Sequence, residues 1–127
     1  MNKQFVPKEI AIDLQKLGFN EECVCKYNSF NQLKGVIIST MDGDYVKTDK
    51  RDDRIPAPLW QQAIDFLREE KGFIIELSYA RTPKCWGFFI YGVGYFLNSL
   101  SGEGWSYEEA REQAVLKAID ICKNNNN

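Results

Sequence analysis

The chain contains no histidine in its 127 residues. That removes Ser-His-Asp and Cys-His nucleophilic relays, histidine metal ligation and the usual general base near neutral pH. Long apolar runs are also missing. Nothing approaches the roughly 20 residues of a membrane-spanning helix, so no membrane partner is expected. The opening Met1-Asn2-Lys3-Gln4-Phe5-Val6-Pro7 lacks the apolar segment of a secretory signal, which makes the cytoplasm the default compartment. The cysteines lack metal or redox spacing: Cys23-x-Cys25 is not Cys-x-x-Cys, and Cys85 and Cys122 stand apart. Reduced, mostly buried thiols that pack as small hydrophobes are expected. Gly92-Val93-Gly94 is not followed by the third glycine and helix start of a dinucleotide fingerprint. No metal or cofactor is therefore expected. An excess of basic residues is absent too. A net charge of −2 and a pI near 5.2 argue against a protein held mainly by phosphate backbones.

What is present is a globular composition, 44% hydrophobic and 27% charged, long enough for one domain over residues 1–127 with a real core. Ile55 to Gly72 reads as a helix near the middle of the chain, with Pro58 in its first turn and Gly72 at the left-handed stop. Leu59, Trp60, Ala63, Ile64 and Leu67 recur on one apolar face, with Phe66 beside them. Upstream, Pro7 to Leu17 is a first helix with Ile10, Leu14 and Leu17 on a stripe. Gly18 closes it, and Phe19 folds back on Leu14. Strands are expected over Glu21 to Asn28, Leu33 to Thr40, and from Tyr45 to Thr48 after an Asp42-Gly43 turn. If the first of these holds, Cys23 and Cys25 share a face. Asp49 to Arg54 is a mixed charge run that reads as a solvated loop. Its alternative role is an anion cradle of Lys50, Arg51 and Arg54, weakened by the interleaved aspartates.

Downstream, Phe73 to Tyr79 alternates, with Phe73, Ile75, Leu77 and Tyr79 on one face and Glu76 and Ser78 on the other. Trp86-Gly87-Phe88-Phe89-Ile90-Tyr91 is apolar on both faces, and Tyr95 to Asn98 makes a last short strand. Ser106, with Glu109 three residues on, forms a capping box for the final helix. Ala110, Ala114, Ala118 and Ile121 form its stripe, with Val115, Ile119 and Cys122 alongside. The order α-β-β-β-α-β-β-β-α predicts an α+β fold, an antiparallel sheet with helices mainly on one face. In that arrangement one side of the two-faced strand is left for something else. Either Phe89 with Tyr91, or Trp86 with Phe88, lines that side, with Tyr95 nearby and Arg81 and Lys84 at the rim. Aromatics at such density mark a protein interface, most often with a second copy of the same chain.

The segments Leu17-Gly18-Phe19, Ala57-Pro58-Leu59-Trp60-Gln61-Gln62 with Asp65-Phe66, and Ser106-Tyr107-Glu108-Glu109-Ala110-Arg111 with Ala114 and Lys117-Ala118 carry a resemblance. The chain resembles small proteins encoded by prophages and mobile elements of Bacteroides-type bacteria. The likeness implies a phage or mobile-element accessory role, with a host or phage protein as a possible partner, and transfers no catalytic residue. Residues 58–123 are also similar in element order to a double-stranded-RNA-binding domain, and the sheet with its helix looks a little like HicB-type antitoxins. RNA-binding domains of that kind start the last helix with lysines, whereas Tyr107, Glu108 and Glu109 stand here and repel phosphate.

The leading expectation is a non-enzymatic, self-associating interaction module contacting its partner through Trp86, Phe88, Phe89, Tyr91 and Tyr95. The alternative is a binder of a nucleotide-type ligand, with bases stacked on aromatics and phosphate held by Arg81, Lys84 and Arg111. An enzyme is the weakest reading. Of the carboxylates, only Glu76 is placed to be shifted by burial in a sheet face.

Overall fold

A residue that alternates in a strand or recurs along a helix takes its meaning from what covers it. The computed structural model describes residues 4–35, 37–39, 45–47, 54–81, 84–92, 95–99 and 105–125, with the backbone alone for 37–39, 45–47 and 95–99. The Asp42-Gly43 turn, Lys50 and Arg51 lie outside the described residues. The chain divides into two compact units, Met1–Gln61 and Gln62–Asn127.

The first unit opens with helix α1, Lys8–Lys16, after Pro7 at the N-cap. Gly18, at φ 106°, reverses the chain so that the Phe19 N–H donates to the Leu14 carbonyl at 3.0 Å and the Gly18 N–H to the Gln15 carbonyl at 3.0 Å. This is the Schellman ending expected of Gly18-Phe19. It buries Leu14 and Phe19, each contributing roughly 1.5–3 kcal/mol. Strand β1, Cys25–Tyr27, lies between β2, Leu33–Gly35, and β5, Ile55–Pro56, in an antiparallel ladder. The hairpin between β1 and β2 is wound around Asn28, whose side-chain oxygen accepts from the backbone N–H of Phe30 at 2.9 Å and of Gln32 at 3.0 Å. The Tyr27 hydroxyl donates to the Val6 carbonyl at 2.6 Å and ties the sheet to the chain leading into α1. Strands β3, Ile37–Ser39, and β4, Tyr45–Lys47, form a separate antiparallel pair. The expected strand over 33–40 is therefore two short ones, because its halves pair with different neighbours.

The helix expected from Ile55 onward starts later, as α2, Trp60–Lys71. Ile55–Pro56 is claimed by β1, with the Ala57 N–H donating to the Cys25 carbonyl at 3.0 Å. Pro58 lies ahead of the helix rather than in its first turn. Its carbonyl accepts from the Val6 N–H at 3.0 Å, and Leu59 bridges to Phe5. These extended pairings hold the backbone out of the helical region until Trp60. Beyond that point the period asserts itself: Trp60, Ala63, Phe66 and Leu67 are buried. Gly72, at φ 76°, ends the helix and lets the Phe73 N–H reach the Leu67 carbonyl at 3.0 Å.

The second unit is a meander of β6, Ile74–Ala80, β7, Cys85–Gly92, and β8, Tyr95–Ser99, with β7 in the centre. Helix α3, Tyr107–Asn125, packs on β7 and β6. Its capping box is formed as expected: the Glu109 N–H donates to Ser106 Oγ at 3.1 Å, and the Ser106 N–H donates to Glu109 Oε1 at 2.8 Å. Ala110, Ala114, Val115, Ala118 and Ile119 are buried. Small side chains on this stripe bring the helix axis close to the sheet. All the paired strands are antiparallel, in keeping with the α+β class.

Gly92 closes β7 where a Cβ would stand 2.7 Å from Cε1 of the buried Phe73 ring. Gly92→Ala should therefore lower unfolding stability by about 1–3 kcal/mol in urea titrations. Gly35→Ala, whose Cβ would meet only the Val24 carbonyl at 3.8 Å, should stay within about 0.5 kcal/mol of the unsubstituted protein.

Candidate functional site

Strand alternation sends Trp86, Phe88 and Ile90 to one face of β7, and Phe89 and Tyr91 to the other. The register extends each set into β6: Tyr79 lies opposite Trp86, Leu77 opposite Phe88 and Ile75 opposite Ile90. On the second face Glu76 lies opposite Phe89 and Ile74 opposite Tyr91.

Helix α3 covers the first face. The Trp86 ring meets Tyr107 edge-on at 5.1 Å and Tyr79 at 5.4 Å, and Phe88 stacks parallel to Trp105 at 6.0 Å. The Trp86 N–H donates to the Trp105 carbonyl at 2.9 Å, pinning the approach to α3 against the start of β7, which β8 does not reach. Phe88 and Ile90 are buried. Trp86 and Phe88 thus serve packing under the helix and do not join Phe89 and Tyr91 on one surface. Of the two pairs that the sequence offered for the free side, Phe89 with Tyr91 is the one left uncovered, so Trp86 and Phe88 do not share a contact surface with them.

The second face carries Phe89 and Tyr91, half-buried and stacked at 6.4 Å, with Ile74 48% exposed beside them. Glu76 is exposed on this face rather than buried in it. That removes the desolvation on which a catalytic role for it depended. Tyr95 lies opposite Gly92 in the β7–β8 register, and its side chain is outside the described residues.

Arg81 and Lys84 are both exposed, on either side of the turn that joins Ala80 to its cross-strand neighbour Cys85. Arg111 lies one turn into α3 with its guanidinium 5.4 Å from the centre of the Tyr107 ring. Tyr79, Trp86, Tyr107 and Arg111 therefore form a continuous run of ring and cation contacts beside that turn. The order helix, three strands, helix anticipated over residues 58–123 is present as α2, β6, β7, β8 and α3. The first turn of α3 is acidic: Glu108 and Glu109 are exposed and Glu109 is occupied by the capping box.

Two features of the first unit had no clear sequence signal. Phe30 stands 80% exposed at the tip of the Asn28 turn, where an apolar residue inside a turn was the only hint. Lys26, in β1, is buried and lines an open cavity of about 450 Å³ with Gln15, Phe19, Glu21, Arg54 and Pro56. The cavity carries charges of both signs and selects no ligand by charge alone.

No disulfide links the four cysteines. Cys23 is buried just ahead of β1, outside the strand that was expected to align it with Cys25, and its thiol donates to the Glu21 carbonyl at 3.6 Å. Burial, reinforced by the Glu21 carboxylate and opposed by Lys26, pushes this thiol from 9.0 up to about 12. Burial raises Cys25 and Cys122 as well. These are poor nucleophiles at neutral pH. Among the described residues no group of three or more cysteines and carboxylates is placed to hold a metal ion, and no helix is long and apolar enough to cross a membrane.

No protein-family model, curated protein or solved structure matches the chain.

The raised Cys23 thiol has a stability consequence of definite sign. The unfolded thiol ionises from about pH 9 while the folded one stays neutral towards pH 12. Its contribution is full below pH 9 and is lost as pH rises from 9 to 12. Urea midpoints measured at pH 8 and pH 10.5 should fall more for the unsubstituted protein than for Cys23→Ala, in which this proton linkage is gone.

Proposed function

We propose that this chain is a non-enzymatic protein-interaction module that self-associates through the sheet face bearing Ile74, Phe89 and Tyr91. The observation that supports this reading is the contrast between the two faces of β7. One is buried under α3 and Trp105, and the other keeps two stacked aromatics half-buried beside an exposed isoleucine. Scattered exposed apolar residues are ordinary, but neighbours in register on a rigid strand pair form the kind of patch that proteins use for association. A copy of the same chain meets it through a two-fold axis, in which each patch serves both sides. The likeness of the Leu17-Gly18-Phe19 and Ser106–Arg111 segments to phage- and mobile-element-encoded proteins supports an accessory role in such an element. The absence of histidine and the capping duty of Glu109 support a function without bond-making chemistry.

A second reading rests on the run Tyr79, Trp86, Tyr107 and Arg111 beside Arg81 and Lys84. It would suit a nucleotide-type ligand, with its base on the exposed Tyr79 ring and its phosphate at the turn. Under this reading a nucleotide panel should raise the melting temperature of the protein, and Arg81→Ala should cancel the gain. Flat melting temperatures across the panel would dismiss it.

Under the leading reading, Phe89→Asp and Tyr91→Asp should each weaken self-association by about 30-fold or more, with circular dichroism unchanged. Sedimentation equilibrium should then show the 14.7 kDa monomer at concentrations where the unsubstituted protein is larger. A variant that associates as strongly as the original would contradict it.

A further inference from the structure

The β6 edge of the sheet in the second unit is built differently from the edges that proteins normally leave in water. Strand β6 has β7 on one side and no strand among the described residues on the other. Its seven residues, Ile74-Ile75-Glu76-Leu77-Ser78-Tyr79-Ala80, are all exposed or half-buried. Every second residue of such an edge turns its N–H and C=O outward, a ready template for another strand. Protective devices are few: β6 contains no proline, no lysine and no arginine, its one charge is Glu76, and it pairs with β7 without a bulge over its whole length. Ile74 and Tyr79 add exposed apolar surface at 48% and 50%.

We propose that β6 pairs antiparallel with β6 of a second copy, with the two-fold axis at Leu77. This rests on the self-association proposed above and adds to its face contact a second, independent one at the strand edge. The register follows from pairing rules. Outward-pointing backbone groups alternate, so a two-fold antiparallel contact places its axis on a residue and not between two. An axis at Glu76 sets two carboxylates directly opposite each other. An axis at Leu77 uses all seven residues and places Ile75 opposite Tyr79, Ile74 opposite Ala80 and Glu76 opposite Ser78 of the second copy. The first is a β-branched residue against an aromatic, a favourable cross-strand pair, and the strand's one charge faces a hydroxyl. The contact joins two three-stranded sheets into one of six and brings the two Ile74, Phe89 and Tyr91 faces into a single continuous surface.

The test exploits that register. S78E places a second carboxylate opposite Glu76 of the second copy, twice per dimer, while S78K places an ammonium there. Sedimentation velocity at low salt should show the dimer dissociation constant weakened by S78E and tightened by S78K, by roughly two- to thirtyfold each. The E76K/S78E double variant should restore dimerisation by reversing one charge. All three residue changes lie at exposed positions, and circular dichroism checks that the fold is retained. If the protein dimerises, ignores the sign of charge at position 78 and is dissociated by Tyr91→Asp, edge pairing is overturned while association through the face stands. A monomer for the unsubstituted protein at every concentration overturns both.

Discussion

The second unit depends on one constraint: β7 carries large apolar side chains on both faces, and a single helix covers only one of them. The alanines of α3 bring that helix down on Phe88 and Ile90, and Trp105 closes the end of the same face. Phe88 and Ile90 are buried, while Trp86 is half-buried and Tyr79 stands half-exposed at the end of the face. The opposite face inherits Phe89 and Tyr91 by the period of the strand, whatever the helix does. In β6 the apolar residues of that face shrink to Ile74 and the small Ala80, with Glu76 and Ser78 between them. The unit is thus assembled from one face covered by a helix and one that gains from further cover.

This arrangement ties stability to association in a simple way. Apolar area left half-exposed on a rigid sheet contributes little to folding but is available to binding without a conformational cost. The central strand is held by neighbours on both sides and by the Trp86–Trp105 hydrogen bond, so the surface it presents is already organised. The first unit is held by different means: a Schellman turn at Gly18, an Asn28-wound hairpin and the Tyr27–Val6 hydrogen bond. Its buried Lys26 and mixed-charge cavity give it chemistry unlike that of the sheet in the second unit.

Local signals in the sequence were the legible ones. Gly18-Phe19 and Ser106-x-x-Glu109 specify helix ends within a few residues, and both endings are formed with the anticipated hydrogen bonds. The alanine stripe of α3 and the alternation of β6 were equally readable, because each repeats over several turns or residues. Features set by distant partners were not. Pro58 looks like a helix start until Val6 and Cys25 claim the backbone around it. Leu33–Gly35 and Ile37–Ser39 form separate strands because their partners differ. For the candidate site, the sequence divides the aromatics of β7 into two sets but does not say which set α3 takes. Phe30 and Lys26 were illegible for the same reason: exposure at a hairpin tip and burial beside a cavity are tertiary facts.

Hydrogen–deuterium exchange of the unsubstituted protein as a function of its concentration reads self-association through β6 strand by strand. The outward-turned amides, every second one along Ile74–Ala80, should exchange fast in dilute solution and slow markedly as concentration rises, while those bonded to β7 stay protected throughout. Amides of α1 and α3 should be indifferent to dilution. Exchange in β6 that is the same at every concentration would contradict the account.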